Sequence, residues 1–151
     1  METVLDFEDM LELLERHGVR YLIIGGLAFT YHAKPRYTKD LDLWLDPARE
    51  NIERANRALA EFGAPHPLDP AKPEEILQIG VAPDRIDLLR ETARMDFEEC
   101  WKTRVRGRYG RVEADWIDLD SLIELKSRID DPRHRADVRV LRKVREQQRV
   151  K

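Results

Sequence analysis

From Phe7 to His17 the apolar residues Phe7, Met10, Leu11 and Leu14 recur at helical spacing, and Gly18 ends the run. Val19 to Ile24 is almost wholly apolar, as in a short strand covered on both sides. After Gly25-Gly26 the pattern predicts a helix over Leu27–His32, stopped by Pro35. From Asp40 to Asp46 the chain alternates strictly. Leu41, Leu43 and Leu45 face one way, and Asp40, Asp42, Trp44 and Asp46 face the other. Pro47 ends that strand and opens a helix over Ala48–Phe62, where proline suits the first turn. Gly63 to Pro73 is proline-rich and reads as a loop. Ile76–Val81 and Arg85–Leu89 read as strands joined by a turn at Ala82-Pro83-Asp84.

The later pattern predicts a short helix at Met95–Trp101. Thr103–Val105 and Arg111–Glu113 pair as a small hairpin around Gly107 and Gly110. Two helices follow, Asp118–Ser127, capped by Asp118 or Asp120, and Ala136–Gln147. Helices alternate with strands early and cluster late. That favours an α/β fold, a mixed sheet with helices packed on it. No composition break divides the chain, so residues 1–151 are expected to form one domain with a helical C-terminal segment from about residue 118.

Composition narrows the partners. At 42% hydrophobic the 151 residues can build a core, and at 38% charged they carry a heavily solvated surface. A net charge of -3 gives no general attraction to nucleic acid or membrane. The single cysteine, Cys100, excludes an internal disulfide and a cysteine-based zinc cluster, and reads as an inert core thiol. No basic segment followed by an apolar one opens the chain, and no apolar run is long enough to cross a bilayer. The expectation is a cytoplasmic protein that does not engage a membrane.

Chemistry concentrates where the first strand meets Gly25-Gly26. A glycine pair there lets the backbone turn sharply into a helix, whose first amides suit a phosphate. Asp40 and Asp42 project from one face of the next strand. Read blandly, that is a polar outer face. Read functionally, the two carboxylates repel each other unless a cation sits between them. Aspartate is a poor strand former, which favours the second reading. Arg36-Tyr37-Thr38-Lys39 adds cations and a hydroxyl at the mouth of the site. Asp87 also lies on a strand, with Ile86 and Leu88 turned the opposite way, and completes a triad if that strand is a neighbour. Three such carboxylates can hold two divalent ions roughly 3.5–4 Å apart. Asp46, just before Pro47, reads as a helix cap, and Asp84 as a turn residue. Trp44, beside the aspartates, is placed to stack on a base. Trp101 and Trp116 read as core or hairpin packing.

These residues resemble the nucleotidyltransferase superfamily that includes DNA polymerase beta and the minimal nucleotidyltransferases. The wording is closer to the small bacterial and archaeal nucleotidyltransferases related to abortive-infection and toxin–antitoxin systems. Those read Gly-Gly-x-Ala, then Arg-x-Thr-x-Asp-[Leu/Ile]-Asp. This chain has Gly25-Gly26-Leu27-Ala28 and Arg36-Tyr37-Thr38-Lys39-Asp40-Leu41-Asp42. Leu122-Ile123-Glu124-Leu125-Lys126 and Asp137-Val138 look like that family's lysine helix and later aspartate, so the likeness runs from Tyr21 to about Leu141.

The resemblance implies a nucleotidyltransferase fold, a short mixed sheet flanked by helices. It implies magnesium- or manganese-dependent transfer of a nucleoside monophosphate from a nucleoside triphosphate to an acceptor hydroxyl. The acceptor is a transfer RNA, a partner protein or a small molecule, and a cognate toxin or antitoxin is an implied partner. Asp40, Asp42 and Asp87 take the catalytic and metal-binding roles. Gly25, Gly26, Arg36, Thr38, Lys39 and Lys126 take the nucleotide-binding roles. Two departures stand out. Many superfamily members have Gly-Ser where this chain has Gly25-Gly26. Arg133-His134 stands where the toxin-like branch usually follows its basic residue with an acidic one.

Read by itself, Lys126 is equally a solvated lysine on a helix, and Arg36 and Lys39 equally pair with the aspartates. The tail carries Arg133, Arg135, Arg139, Arg142, Lys143, Arg145, Arg149 and Lys151, either a solvated basic helix or a grip for an RNA backbone. The four histidines are scattered with no ligand spacing. A module that keeps the fold and binds a nucleotide or partner without turnover is the competing reading.

Overall fold

The computed structural model describes residues 3–35, 40–81 and 83–150. Their elements run α1 (Leu5–Arg16), β1 (Tyr21–Ile24), α2 (Gly25–His32), β2 (Asp40–Leu45), α3 (Arg49–Phe62), β3 (Leu77–Ile79), β4 (Arg85–Leu89), α4 (Phe97–Lys102), β5 (Val105–Tyr109), β6 (Val112–Trp116), α5 (Leu119–Ser127) and α6 (Pro132–Val150). The strands form one mixed sheet ordered β3-β4-β2-β1-β6-β5. β1 is antiparallel to β2 and parallel to β6, while β2 is parallel to β4. Antiparallel β3 and β5 close the two edges.

Strand alternation divides the core into two layers. Leu41, Leu43 and Leu45 of β2, with Ile86 and Leu88 of β4, pack under α1 and α3 against Met10, Leu11, Leu14, Ile52 and Leu59. The opposite face carries Leu22, Ile24 and Trp44, covered by Phe29 of α2, Phe97 and Cys100 of α4, Leu122 and Leu125 of α5, and Leu141 of α6. Asp40, Asp42 and Asp87 belong to this second face by the same period of two. Cys100 is buried, and burial pushes its thiol pKa up, as an inert core thiol requires. Among the described residues no helix is long and apolar enough to cross a membrane.

The structure departs from the sequence pattern in several places. The hairpin is longer than Thr103–Val105 and Arg111–Glu113: it spans Val105–Trp116 and turns only at Gly110, where φ is +58° and a Cβ would overlap the Glu8 carboxylate. Gly107 lies inside β5, where its missing side chain leaves room for the Tyr31 ring. That ring stacks on Trp116 with centroids 4.2 Å apart. β3 is shorter than the pattern suggested. α6 starts at Pro132, earlier than Ala136, because Asp131 accepts the Arg133 N–H at 2.7 Å and proline fits the first turn.

Candidate active site

β1 ends at Ile24 and the chain enters α2 at once through Gly25, whose φ is +70°. That conformation favours glycine on backbone grounds. Space demands it too, because a Cβ on Gly25 would drive into the Asp42 carboxylate, whose Cγ lies 3.0 Å from that position. The Ile24 side chain cannot cap the first turn of α2. An uncapped helix start and the Asp42 carboxylate therefore meet at one point.

Strand register brings the aspartates together. Asp42 is paired with Ile24 on one side and with Asp87 on the other, and Asp40 is paired with Arg85. Asp40 and Asp42 are half-buried, and Asp87 is buried. The Asp42 carboxyl is pushed up to about 7, first by burial, then by the charges of Asp87 and Asp40, and by a hydrogen bond to Asp87; the Arg85 charge opposes this. Asp42 thus keeps its proton up to near-neutral pH.

Arg85 is the residue that the motif reading passed over. Its Nε donates to Asp87 Oδ1 at 2.9 Å. Its Nη2 donates to Asp87 Oδ2 at 3.1 Å and to Asp40 Oδ2 at 3.0 Å. One guanidinium therefore spans the first and third carboxylates. The available signal was its spacing, two residues before Asp87 and so on the same strand face. Asp40 Oδ1 is buried with no hydrogen-bond partner among the described residues.

Among the described residues no three His, Cys, Asp or Glu side chains close on a common point as metal ligands do. Arg85 occupies three of the six carboxylate oxygens. The donor set nevertheless fits a divalent cation. Three carboxylates cluster around one guanidinium, a buried carboxylate oxygen has no partner among the described residues, and burial together with the charges of Asp87 and Asp40 keeps Asp42 protonated.

Lys126 is neither solvated nor free. It is 2% exposed, and its Nζ donates to Asp137 Oδ2 at 3.0 Å, with His134 Nδ1 at 3.4 Å. Arg36, Thr38 and Lys39 lie outside the described residues. Trp44 does not stack on a base. It is fully buried, donates Nε1–H to the Arg90 carbonyl at 3.1 Å and meets Phe97 edge-on. It shares the aspartates' strand face, but lies far enough along β2 to pass beneath α4. Asp46 accepts the Ala48 N–H at 3.0 Å and so turns the chain into α3.

A cavity of about 580 Å³ lies at the other end of β2 and β4, lined by Asp46, Arg90, Thr92 and Phe97. It is remote from the carboxylates, which sit where those two strands begin.

Compared with solved structures, the chain is similar to the lincosamide antibiotic adenylyltransferase LnuA, solved with lincomycin bound. The TM-score is 0.61 at 13% identity, over 94% of this chain and 98% of that one. This is the nucleotidyltransferase fold. A candidate nucleotidyltransferase of Thermotoga maritima is more distant, with a TM-score of 0.42 at 15% identity over 76% of this chain and 65% of that one. The chain matches no protein-family model and no curated protein.

The Asp42 shift gives a signed expectation for the metal-free chain. The folded chain holds a proton on Asp42 that the unfolded chain releases near the ordinary value of 3.8. Asp42 therefore costs stability progressively as pH rises from 3.8 to about 7, with no further loss above that. Asp42→Asn cannot ionise. Its melting temperature relative to the unaltered chain climbs across that window and then levels off. Thermal melts in chelator, from about pH 4 to about pH 8, check this, and a gap that stays constant with pH would contradict the shift.

Proposed function

We propose that this chain is a metal-dependent nucleotidyltransferase that moves a nucleoside monophosphate from a nucleoside triphosphate to an acceptor hydroxyl. The observation that carries the reading is the register of β2 and β4. It sets Asp42 beside Asp87, with Asp40 on the same face and the Gly25 turn against Asp42.

Asp40, Asp42 and Asp87 would hold magnesium or manganese. Bound there, the divalent ion neutralises the triphosphate and lowers the pKa of the attacking hydroxyl. The Gly25-Gly26 turn and the start of α2 admit the phosphates, where backbone N–H groups favour negative charge. Asp87 accepts the proton of the acceptor hydroxyl. The acceptor oxygen bonds to the α-phosphorus, the bond from that phosphorus to the bridging oxygen breaks, and pyrophosphate leaves. The phosphate role proposed for Lys126 requires its pair with Asp137 to open. Arg36, Thr38 and Lys39 are assigned to the nucleotide on the resemblance.

RNA is the acceptor that the surface supports best. Along α6 the buried residues Val138 and Leu141 face α5, while Arg135, Arg139, Arg142, Lys143 and Arg149 are exposed on the far side. The LnuA likeness supports a small-molecule acceptor instead. A toxin–antitoxin role rests on the motif resemblance. A nucleotide-binding module without turnover is the second reading, and the Arg85 clamp favours it.

The test incubates the protein with each labelled nucleoside triphosphate, magnesium or manganese, and in turn total RNA, candidate partner proteins and a lincosamide. Label should pass to one acceptor class and not in Asp42→Asn. Labelling that persists in Asp42→Asn, or no labelling of any acceptor, gives the binding-module reading the better claim.

A further inference from the structure

Among the described residues, Arg85 is the cation bonded within the carboxylate cluster. Its guanidinium holds both oxygens of Asp87 and one of Asp40 at 2.9–3.1 Å. A magnesium ion takes oxygen ligands at about 2.0–2.1 Å in a near-octahedral shell. The guanidinium already takes a lone pair on three of those oxygens, and its charge repels a second cation there, so the two compete. Arg85 is also free to leave. Its side chain is 30% exposed, and among the described residues its bonds go only to the two aspartates. Arg90, just past the other end of β4, is the contrast. It is 1% exposed and fixed by the Asp69 carbonyl at 2.7 Å and by Glu75 at 3.3 Å.

We propose that Arg85 is an internal competitor for the divalent cation: it clamps Asp40 and Asp87 in the metal-free chain and must release them before a metal is held. The inference rests on the metal site assigned under the proposed function. In this role Arg85 does three things. It orders two of the three carboxylates without metal, it offsets part of the negative charge around Asp42, and it raises the cation concentration needed to load the site. When the clamp opens, the guanidinium turns toward solvent at the mouth of the cluster.

The sign of the effect separates this role from a structural one. If Arg85 merely ordered the carboxylates, its removal would loosen them and weaken cation binding. If Arg85 competes, its removal tightens binding. The experiment measures manganese alone, without nucleotide, by the loss of the free-ion paramagnetic resonance signal and by calorimetry. The unaltered chain, Arg85→Met and Arg85→Lys are compared. Arg85→Met should bind manganese roughly tenfold to a hundredfold more tightly, the range over which groups bonded to metal ligands tune affinity. Arg85→Lys, which keeps a charge but loses the fork, should fall between. It also carries the test if the methionine variant does not fold. Metal-free Arg85→Met should melt lower than the unaltered chain and regain more on adding manganese. Equal or weaker binding in both variants would overturn the inference and leave the metal site standing. No manganese binding by any of the three proteins would overturn the metal site, and the inference with it.

Discussion

Asp42→Asn is expected to lower the rate of the proposed nucleotidyl transfer roughly 10²-fold or more, and at neutral pH to raise the melting temperature of the metal-free chain. The two effects share one cause. Asp42 lies between the end of β1 and Asp87, with Asp40 two residues away on the same face. Burial, and then the charges of Asp87 and Asp40, push its carboxyl up to about 7, so ionising it is unfavourable in the folded chain. Asparagine removes that cost and, in the same step, the anionic ligand proposed for the metal. Metal-assisted activation and charge neutralisation are each worth several kcal/mol in such reactions, so the lost ligand dominates the rate. The measurement pairs initial rates of labelled transfer with thermal melts in chelator. A variant that is slower and also less stable would point to a damaged fold. A variant that is more stable but equally active would remove Asp42 from the chemistry. Stability gained at the expense of activity is the pattern expected where a site holds like charges together for a task.

The sequence made the β1–α2–β2 unit legible because its signals are local. An apolar run, a glycine pair and a strict alternation each need only a few neighbouring residues. Asp87 was also within reach, because Ile86 and Leu88 fix its strand face. Its partner was not, since nothing local says that β4 runs parallel to β2 with Asp87 opposite Asp42. The Arg85 clamp depends on that same register and stayed hidden for that reason. Trp44 shows the limit of periodicity from the other side. A period of two placed it correctly on the aspartates' face, but which stretch of that face is open depends on where α4 docks. The long hairpin was shortened in the sequence reading because Arg106, Gly107 and Arg108 weaken the strand pattern. In the structure Arg106 reaches Asp115 at 3.2 Å and also bonds Glu15 of α1, so the polar residues of β5 are tied down rather than loop-forming. The start of α6 was missed because Arg133-His134-Arg135 has no apolar period, although Asp131 and Pro132 supply a cap and a first turn.

Asp137→Ala destabilises the chain by about 3–5 kcal/mol, the cost of leaving a buried charge without its partner. Lys126 and Asp137 join α5 to α6 with side-chain exposures of 3% and 11%. Around them lie Leu122, Ile123, Leu125, Val138 and Leu141, all buried, so water cannot replace the lost carboxylate cheaply. His134, 3.4 Å from the ammonium, does not substitute for it. Burial and then the Lys126 charge push its pKa down, so the ring is neutral and offers one lone pair instead of a countercharge. For a chain of this size the loss corresponds to about 10 °C in melting temperature, at about 2–4 °C per kcal/mol. Lys126→Met with Asp137→Leu should recover most of it, because an apolar pair of similar volume removes both charges together. Thermal melts of the single and double variants complete the cycle. A shift of about 1 kcal/mol or less in Asp137→Ala, the worth of an exposed pair, would mean that the pair is open in solution. That outcome would also free Lys126 for the phosphate role implied by its place in the motif, so the same melts decide whether this lysine holds two helices together or is available to a ligand.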